Sequence, residues 1–158
     1  MLINSAFKTP FGWLDMTFDE HYIYRAVFTD NPVEKPHGHS KQAQLIISEL
    51  GNYTDNCNHR FQLPLKPQGS IFQQRVWNAL LVIPVGRTVT YGELANNLQS
   101  SPRAIGQACK SNPLAIFIPC HRVVGKNSQG GYMGRADALC YKTSLLQHEQ
   151  TEGLCASC

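Results

Sequence analysis

Signals that start helices follow one another closely in the second half of this chain. Two of them are capping boxes, in which an N-cap Ser or Thr is followed three residues later by Gln or Glu. The third is a Ser directly followed by Pro, which suits the first helical position. They lie at Ser70 with Gln73, Thr90 with Glu93, and Ser101 with Pro102. We therefore predict three consecutive helices, the first reaching about Ile83 and the second ending near Leu98.

The first half of the chain has a different pattern. Up to residue 30, aromatic and β-branched residues occur in short runs separated by turn-forming residues such as Pro10 and Asp19, which predicts short antiparallel strands. From Ser40 to Leu50 the apolar residues recur at helical spacing, and a polar stretch follows. Two prolines then interrupt residues 63–69, so we place a domain boundary there, between residues 1–67 and 68–158.

The composition is that of an intracellular globular protein. A chain of 158 residues with 42% hydrophobic content can bury a substantial core. Its apolar stretches are much shorter than the roughly 20 residues needed to cross a bilayer, and its N-terminus lacks the apolar core of a signal peptide. We therefore expect no membrane association. The six cysteines are expected to be reduced, because a core of this size has little need of disulfides.

The two short helices on either side of Gln99 form a helix-turn-helix candidate over residues 91–110. Helix pairs of this size also occur in many proteins that never contact nucleic acid. The charge distribution adds a weak preference. Lys and Arg equal Asp and Glu up to Arg75, at seven each, and outnumber them by seven to four afterwards. This excess favours a second half that binds a polyanion, although unrelated domains share it.

Cys120 is the candidate nucleophile. A cysteine reacts as the thiolate, so it needs a nearby base or cation and access for a substrate. Pro119 fixes the chain entering this position, and His121 and Arg122 follow directly. Because adjacent side chains usually diverge, we expect His121 to reach the thiol through a water, with a carboxylate orienting the imidazole. A Cys-His pair is by itself more often structural than catalytic.

A longer match around Cys120 and His121 favours a catalytic role for this pair. Residues 118–123, with the sequence IPCHRV, resemble the active-site signature of the methylated-DNA–protein-cysteine methyltransferase family. The resemblance extends from Phe72 to Glu149 through blocks of matching order and spacing. They are 72–80 (FQQRVWNAL), 83–86 (IPVG), 90–95 (TYGELA), 103–106 (RAIG) and 111–113 (SNP). It implies an α/β fold, with a small N-terminal domain of one antiparallel sheet and a helix, then a mostly helical C-terminal domain.

The resemblance assigns a role to each matching residue of the reaction centre. It implies that Cys120 is the acceptor thiol, that His121 is the base acting through a water, and that Glu149 is the carboxylate behind it. Asn112 is expected to brace the turn between the recognition helix and the active-site segment. Tyr91 is expected to donate to a purine ring nitrogen and to crowd the 3′ phosphate of the lesion.

The same resemblance implies that the partner is double-stranded DNA, approached through the minor groove. A base inside a duplex cannot present O6 to a thiolate, so it must be flipped out of the stack. Arg103 is expected to fill the space that the extruded base leaves. Beside it, Ala104 and Gln107 suit close approach to the groove better than base reading, so binding should be salt-sensitive and weakly dependent on sequence.

The resemblance also implies the substrate pocket. The carbonyls of Cys120 and Val123 should accept from the guanine amino group, the N–H of Met133 should approach O6, and Tyr132 should form one wall. Family members that discriminate against bulky adducts can carry a tryptophan in place of Gly134, so glycine is expected to leave room for groups larger than methyl. Residues 135–140 form a longer segment than the family's common one, which leaves the outline of the pocket rim open.

The function implied by the resemblance is a repair reaction without turnover. The alkyl group of O6-alkylguanine, and by the resemblance also of O4-alkylthymine, would pass to Cys120 as a thioether. Nothing in the expected site could hydrolyse a carbon–sulfur bond, so each molecule would act once. No cofactor is implied, and a monomer located in the cytoplasm, or in the nucleus of a eukaryote, is expected.

Several other features are expected to be structural. Cys155 and Cys158 form a Cys-x-x-Cys pair, but a zinc site needs about four ligands and no second pair matches. A second group in the first half does not match the family's structural zinc pattern, so we predict no metal. It comprises His37, His39, Cys57 and His59. Buried helix positions are expected for Cys109 and Cys140, and core positions for Phe72 and Trp77.

Three rival functions use the same residues differently. An alkyltransferase-like protein would flip and flag lesions without repairing them, but such proteins lack the cysteine that this chain has at position 120. A helix-turn-helix transcription regulator would carry an additional DNA-binding or zinc-bearing domain, for which 158 residues leave no room. A cysteine hydrolase using Cys120 and His121 would turn over on an ester or a peptide.

Overall fold

A three-stranded antiparallel sheet begins the fold. The computed structural model describes residues 1–33 and 38–156, with side chains up to residue 150. Strands β1 (Ile3–Thr9), β2 (Gly12–Phe18) and β3 (Ile23–Thr29) lie in sequential order, which confirms the predicted sheet. Alternate side chains of β2 are fully buried, as expected for a sheet with one face on the core. The β1–β2 turn needs glycine, since Gly12 has φ +144° and a Cβ there would lie 2.6 Å from the Tyr141 ring.

Helix α1 (Lys41–Asp55) packs on this sheet and is longer than its apolar pattern indicates. Its N-cap is Ser40, whose side chain accepts from the Ala43 N–H. The stretch after Leu50, interpreted as polar, continues the helix to Asp55. Its one large apolar residue explains why: Tyr53 is 1% exposed and extends the buried face by one turn.

The three helices predicted from capping signals are present. They are α2 (Ile71–Leu81), α3 (Tyr91–Asn97) and α4 (Pro102–Lys110). Both capping boxes form with reciprocal hydrogen bonds, and Ser101 caps α4 by accepting from the Ala104 N–H at 3.2 Å. Trp77 is a core residue and donates from its indole to the Ala108 carbonyl of α4, whereas Phe72 is half-buried against the same core.

A short parallel pairing connects the helix-turn-helix to the segment that follows Cys120. Strand β4 (Val89–Thr90) pairs with β5 (Val123–Val124), in the register Val89 with Val123 and Thr90 with Val124. The sequence shows no sign of these two-residue strands. Because Tyr91 directly follows β4, the pairing brings the first residue of α3 close to the chain that leaves the reaction centre.

The last helix is α5 (Leu139–Ala156). Its buried face follows helical spacing through Tyr141, Lys142, Leu145 and Glu149. Cys140 lies off this face and is exposed, so its predicted burial is wrong, whereas Cys109 on α4 is buried as predicted. Cys158 and the side chain of Cys155 lie outside the described part of the chain.

One hydrophobic cluster joins the two halves of the chain. Strand β3 hydrogen-bonds to the segment before Cys120, where the Ala26 N–H donates to the Pro113 carbonyl and the Ala115 N–H donates back to Ala26. Both halves of the expected α/β fold are therefore confirmed, and the sheet lies directly against the active-site segment. None of the helices described within residues 1–156 has the length and apolar character needed to cross a membrane.

Candidate active site

Cys120 begins a 3₁₀ turn (Cys120–Arg122) directly after Pro119, and its side chain is buried, with 4% of the residue exposed. The turn follows the apolar run 114–118, which is packed into the core. The thiol is thus held on rigid, buried backbone. The other cysteines with described side chains, Cys57, Cys109 and Cys140, are also outside disulfides.

Asn112 connects the end of α4 to the thiol. Its side-chain N–H group donates to the Ile118 carbonyl at 2.9 Å and to the Cys120 Sγ at 3.2 Å. Its side-chain oxygen accepts from the Leu114 N–H at 3.0 Å. The residue predicted to brace this turn therefore does so from both ends of its amide, and it also donates to the sulfur, where negative charge develops in a thiolate.

Glu149 on α5 is the buried anion of the site, with 1% exposed. Its Oε2 accepts from His121 Nε2 at 2.8 Å, and Arg122 binds both oxygens, with Nε at 2.9 Å from Oε1 and Nη2 at 3.0 Å from Oε2. Tyr53 of α1 donates to Oε2 at 2.7 Å. Burial raises the pKa of Glu149, but the hydrogen bonds from His121 and Arg122 and the positive charge of Arg122 outweigh it and hold the pKa well below 4.5.

The hydrogen bond to Glu149 fixes the tautomer of His121. Burial lowers the pKa of His121 despite the neighbouring carboxylate, so the imidazole is neutral at neutral pH. Since Glu149 is ionised and can only accept, Nε2 carries the proton. Nδ1 is then the unprotonated nitrogen, and it is buried with no hydrogen-bond partner among the described residues. Such a nitrogen can accept a proton.

The resting thiol is protonated. Burial raises the pKa of Cys120, while the Asn112 donor and the charge of Lys142 act in the opposite direction without cancelling the effect of burial. In the structure the thiol is hydrogen-bonded by Asn112, not by His121. The water between His121 and Cys120 stays a prediction. Activation of the thiol therefore requires a base, and the neutral imidazole of His121 is the neighbouring group able to take the proton.

Lys142 is a site residue that has no role in the sequence-based prediction. Its side chain is fully buried and donates to the carbonyls of Val123 at 2.7 Å and Gly131 at 2.9 Å. Burial lowers the pKa of Lys142 to about 8. A signal for it exists in the sequence, since Lys142 is a charged residue on the face of α5 that Tyr141 and Leu145 make apolar.

A cavity of about 200 Å³ opens beside the thiol. It is lined by the residues Tyr91, Gly106, Cys109, Lys110, Cys120, Gly131, Tyr132, Met133 and Gly134. Four residues of the predicted pocket and reaction centre therefore meet the thiol at one opening. Val123, also predicted there, does not line the cavity. It is fully buried, and its carbonyl accepts from Lys142.

The rim of the cavity is a tight turn. Met133 and Gly134 both have left-handed backbone, with φ of +53° and +67°. This conformation is rare for methionine, and such residues concentrate at binding sites. A Cβ on Gly134 would lie 2.7 Å from Cε of Lys110, so any larger residue must displace the Lys110 chain. The inserted segment that follows is anchored by Arg135, whose Nη2 donates to the Phe28 carbonyl of β3.

The predicted DNA-contact residues lie on one surface near this opening. Arg103 and Gln107 on α4 are exposed, and Ala104 is half-buried. Gly106, between them, borders the cavity, and a Cβ there would meet nothing within 4 Å. Helix α4 packs against α3 as a helix-turn-helix pair. The surface therefore presents the small residues Ala104 and Gly106 beside the longer side chains of Arg103 and Gln107.

The metal-ligand candidates considered in the sequence lie partly within the described residues. His59 is paired with Glu49 at 2.7 Å, and His37 lies outside the described residues. Among the side chains that the structure describes, no three of His, Cys, Asp or Glu are close enough together to hold a metal ion.

Comparisons with known proteins agree with this geometry. A family described as the 6-O-methylguanine DNA methyltransferase DNA binding domain matches residues 71–151. A methylated-DNA–protein-cysteine methyltransferase of Methanosarcina acetivorans is 47% identical over 152 residues, which is 92% of this chain and 96% of the relative.

Solved structures extend the likeness to the whole fold. The crystal structure of Mycobacterium tuberculosis O6-methylguanine methyltransferase superimposes with a TM-score of 0.81 at 30% identity, covering 96% of this chain and 94% of that one. A crystal structure of Mycobacterium tuberculosis OGT in complex with DNA gives a TM-score of 0.75 at 31% identity, covering 94% and 93%.

Proposed function

Because this chain belongs to the methylated-DNA–protein-cysteine methyltransferase family, we propose that it repairs DNA by moving the alkyl group of O6-alkylguanine irreversibly onto its own Cys120. O4-alkylthymine presents the same kind of alkyl ether and is the second proposed substrate. The observation that supports this assignment most directly is the combination of a buried thiol at a cavity with a neutral imidazole held by an ionised carboxylate.

The proposed reaction begins with loss of the thiol proton. His121 accepts it at Nδ1 through a water, and Glu149 stabilises the imidazolium that forms. The thiolate attacks the alkyl carbon, a C–S bond forms, and the C–O6 bond breaks. The electron pair of that bond passes to guanine, which takes up one proton, so the net change is thiol plus alkylguanine to thioether plus guanine.

Donors around the cavity stabilise the guanine as it leaves. Negative charge develops on O6 and on the purine ring, and a donor placed at each lowers the barrier. We assign the hydroxyl of Tyr91 to a ring nitrogen and the backbone N–H of Met133 to O6. The carbonyls of Cys120 and Val123 are assigned to the guanine amino group, with Tyr132 as one wall of the pocket. The Val123 carbonyl would accept from the base with its second lone pair, beside the bond that it accepts from Lys142.

The lesion reaches the thiol by base flipping from the minor groove. Flipping costs a few kcal/mol in lost stacking and pairing. We assign Arg103 to the space that the base leaves, with Ala104 and Gln107 against the groove. The exposed arginine at the start of α4 and the small residues behind it support this arrangement. Phosphate contacts would make binding weaken as salt rises.

The pocket rim is proposed to set the size of the alkyl groups that can be repaired. Gly134 borders the cavity without a side chain, and we propose that this leaves room for alkyl groups larger than methyl. We further propose that residues 1–67 form a supporting domain and residues 68–158 the DNA-binding and acceptor domain. The protein is proposed to act as a monomer without cofactor or metal, in the cytoplasm, or in the nucleus if the source is eukaryotic.

A repair assay with a matched variant tests the proposal. A duplex oligonucleotide carries one O6-methylguanine inside a restriction site that is cut only after repair. We expect the wild type to restore sites up to one per protein molecule and then stop, because the thioether is stable. Cys120→Ala is expected to bind the duplex but restore none.

Two results would reject the proposal. Restoration that continues beyond one site per molecule would show that the acceptor thiol is regenerated, which contradicts irreversible transfer. Binding of the lesion by the wild type without any restoration would indicate a protein that flags damage.

A further inference from the structure

The Glu149 carboxylate is held from two sides. His121 and Arg122 are neighbours in one 3₁₀ turn, so a single short segment of the chain provides three hydrogen bonds to Glu149. The remaining donor is the hydroxyl of Tyr53, on α1 of the N-terminal half and 96 positions away in sequence. It donates to Oε2, the same oxygen that holds the imidazole of His121.

The position of the Tyr53 hydroxyl is fixed by its surroundings. The ring is 1% exposed and contacts the rings of Phe11, Phe61 and His148, with centroids 5.8, 5.1 and 5.0 Å away. Its backbone carbonyl also accepts from His148 Nε2 at 2.9 Å. Burial and then the charge of Glu149 raise the pKa of Tyr53 far above its usual value. The hydroxyl therefore stays a donor over the whole working range of pH.

We propose that Tyr53 is a positioning residue for alkyl transfer, because its hydroxyl fixes the Glu149 oxygen that orients His121 toward the acceptor thiol. This inference rests on the proposed function and adds to it a residue from the N-terminal half. Tyr53 touches neither the thiol nor the cavity, so it acts through Glu149 alone.

Tyr53 and His121 both donate to Oε2 of Glu149, and this determines how the loss of the Tyr53 hydroxyl changes the pKa of His121. A donor on Oε2 draws electron density from it and weakens its bond to the His121 N–H. When that donor is removed, Oε2 becomes the stronger acceptor and favours imidazolium, so the pKa of His121 rises. At the same time the carboxylate loses its support from α1, and the imidazole is oriented less well.

Other charged and ionisable groups surround His121 and Glu149, and Tyr53→Phe leaves them unchanged. They include Cys57, Cys120, Arg122, Tyr132, Lys142 and His148. Arg122 remains bound to both oxygens of Glu149, so the carboxylate stays ionised in the variant. A change in the pH profile would therefore report the loss of the Tyr53 hydroxyl.

The experiment compares wild type with Tyr53→Phe, which keeps the aromatic ring and removes only the hydroxyl. The single-turnover rate constant is measured against pH on the O6-methylguanine duplex. We expect its plateau to fall roughly tenfold, a part of the about 10² to 10⁴ that a positioned base contributes. The acidic limb of the rate–pH profile is expected to move to higher pH by about half a unit, because the pKa of His121 rises, and the affinity for the duplex is expected to stay unchanged.

Two controls separate positioning from general damage to the fold. Tyr24→Phe removes another hydroxyl of the N-terminal half, one that donates to Asp19 at 2.7 Å, and it is expected to leave rate and profile unchanged. In a Glu149→Gln background, Tyr53→Phe is expected to cause no further loss, because the two residues act as one unit. An equal loss in both backgrounds, or an unmoved rate and profile, overturns the inference.

A second readout does not require DNA. Alkylation of Cys120 by iodoacetamide, followed by peptide mass spectrometry, reports the ionisation of the thiol and its base directly. The Tyr53→Phe profile is expected to shift on this reagent as it does on the duplex. If the wild type reacts with iodoacetamide but not with the duplex, the proposed function fails. The role of Tyr53 is then still tested by comparing the pH dependence of iodoacetamide alkylation in the wild type and in Tyr53→Phe.

Discussion

At the scale of single residues, the site has to produce a thiolate in a buried place. Burial alone keeps Cys120 protonated, and the Asn112 donor and the Lys142 charge reduce this preference without reversing it. A neutral imidazole with an open Nδ1 provides the missing step. The thiol is therefore a weak nucleophile at rest and becomes reactive when its proton moves to His121. This arrangement protects a nucleophile that can be used only once.

Glu149→Gln is predicted to weaken the fold in a pH-dependent way. Removing the anion leaves the largely buried Arg122 side chain, 11% exposed, without its charge partner, which costs about 3 kcal/mol of unfolding free energy at neutral pH. The pKa of Glu149 is lowered on folding, so its contribution is complete above the unfolded value of 4.5 and is lost as pH falls below it. Chemical denaturation from pH 7 down to pH 3 measures the difference.

The matched control for this prediction is Glu20→Gln, because Glu20 is exposed on the surface. It is expected to change stability by less than about 0.5 kcal/mol at every pH. If the wild type and Glu149→Gln keep a constant difference down to pH 3, Glu149 is not the group that ties stability to pH.

The residues of the site differ in how far the sequence could predict them. Cys120, His121 and Asn112 lie in compact signatures, and Glu149 lies at the end of the matched region. Tyr53 could not be predicted, since its role depends on a contact spanning 96 positions, and nothing local to α1 indicates it. Lys142 was missed although a charge on an apolar helix face was visible.

At the scale of elements, the cavity lies where two helices and a turn meet. It opens between the start of α3 at Tyr91, the middle of α4 at Gly106 and the left-handed turn at Met133 and Gly134. The turn lies against Lys110 and is connected through Arg135 to β3. The shape of the pocket therefore depends on the inserted segment as well as on the helices.

Gly134→Trp is predicted to narrow the range of adducts. The indole must occupy the rim and displace the Lys110 chain, so transfer of a benzyl group should fall more than tenfold relative to methyl, as expected when a pocket loses the volume of a ring. Gly134→Ala is the control, because it carries the same left-handed strain without the bulk. Single-turnover rates on O6-benzylguanine and O6-methylguanine duplexes give the ratio for each variant.

The proposed role of Gly134 would be contradicted in either of two ways. Gly134→Ala and Gly134→Trp could lower the benzyl-to-methyl ratio equally, which would assign the effect to backbone strain. Alternatively, the wild type could repair O6-benzylguanine negligibly beside O6-methylguanine, and glycine would then give no extra room.

The starts of α2, α3 and α4 and the ends of α2 and α3 were predicted to within two residues, but the end of α1 was not. The starts at Ser70, Thr90 and Ser101 are specified by local hydrogen bonds between side chains and backbone. The end of α1 depends on tertiary packing at Tyr53, which no local rule records. The pairing of β4 with β5 was missed for the same reason, since two residues are too few to show a strand pattern.

At the scale of the whole molecule, the N-terminal half supports the chemistry of the second. Its sheet hydrogen-bonds to the segment before the thiol, its helix reaches the Glu149 carboxylate, and its third strand anchors the pocket rim. A single core connects the two halves. The proposed boundary near residue 67 therefore separates a supporting half from a DNA-binding and acceptor half, although both halves share one packed core.

The central claim is that the alkyl group ends on Cys120, and intact-protein mass spectrometry tests it most directly. After incubation with an O6-methylguanine duplex, the wild type is predicted to gain one methylene, roughly 14 Da, saturating at one per molecule, with Cys120→Ala unchanged. Peptide mapping should place the added mass on Cys120. A gain that persists in Cys120→Ala, or no gain in a wild type that restores the duplex, would contradict transfer to this cysteine.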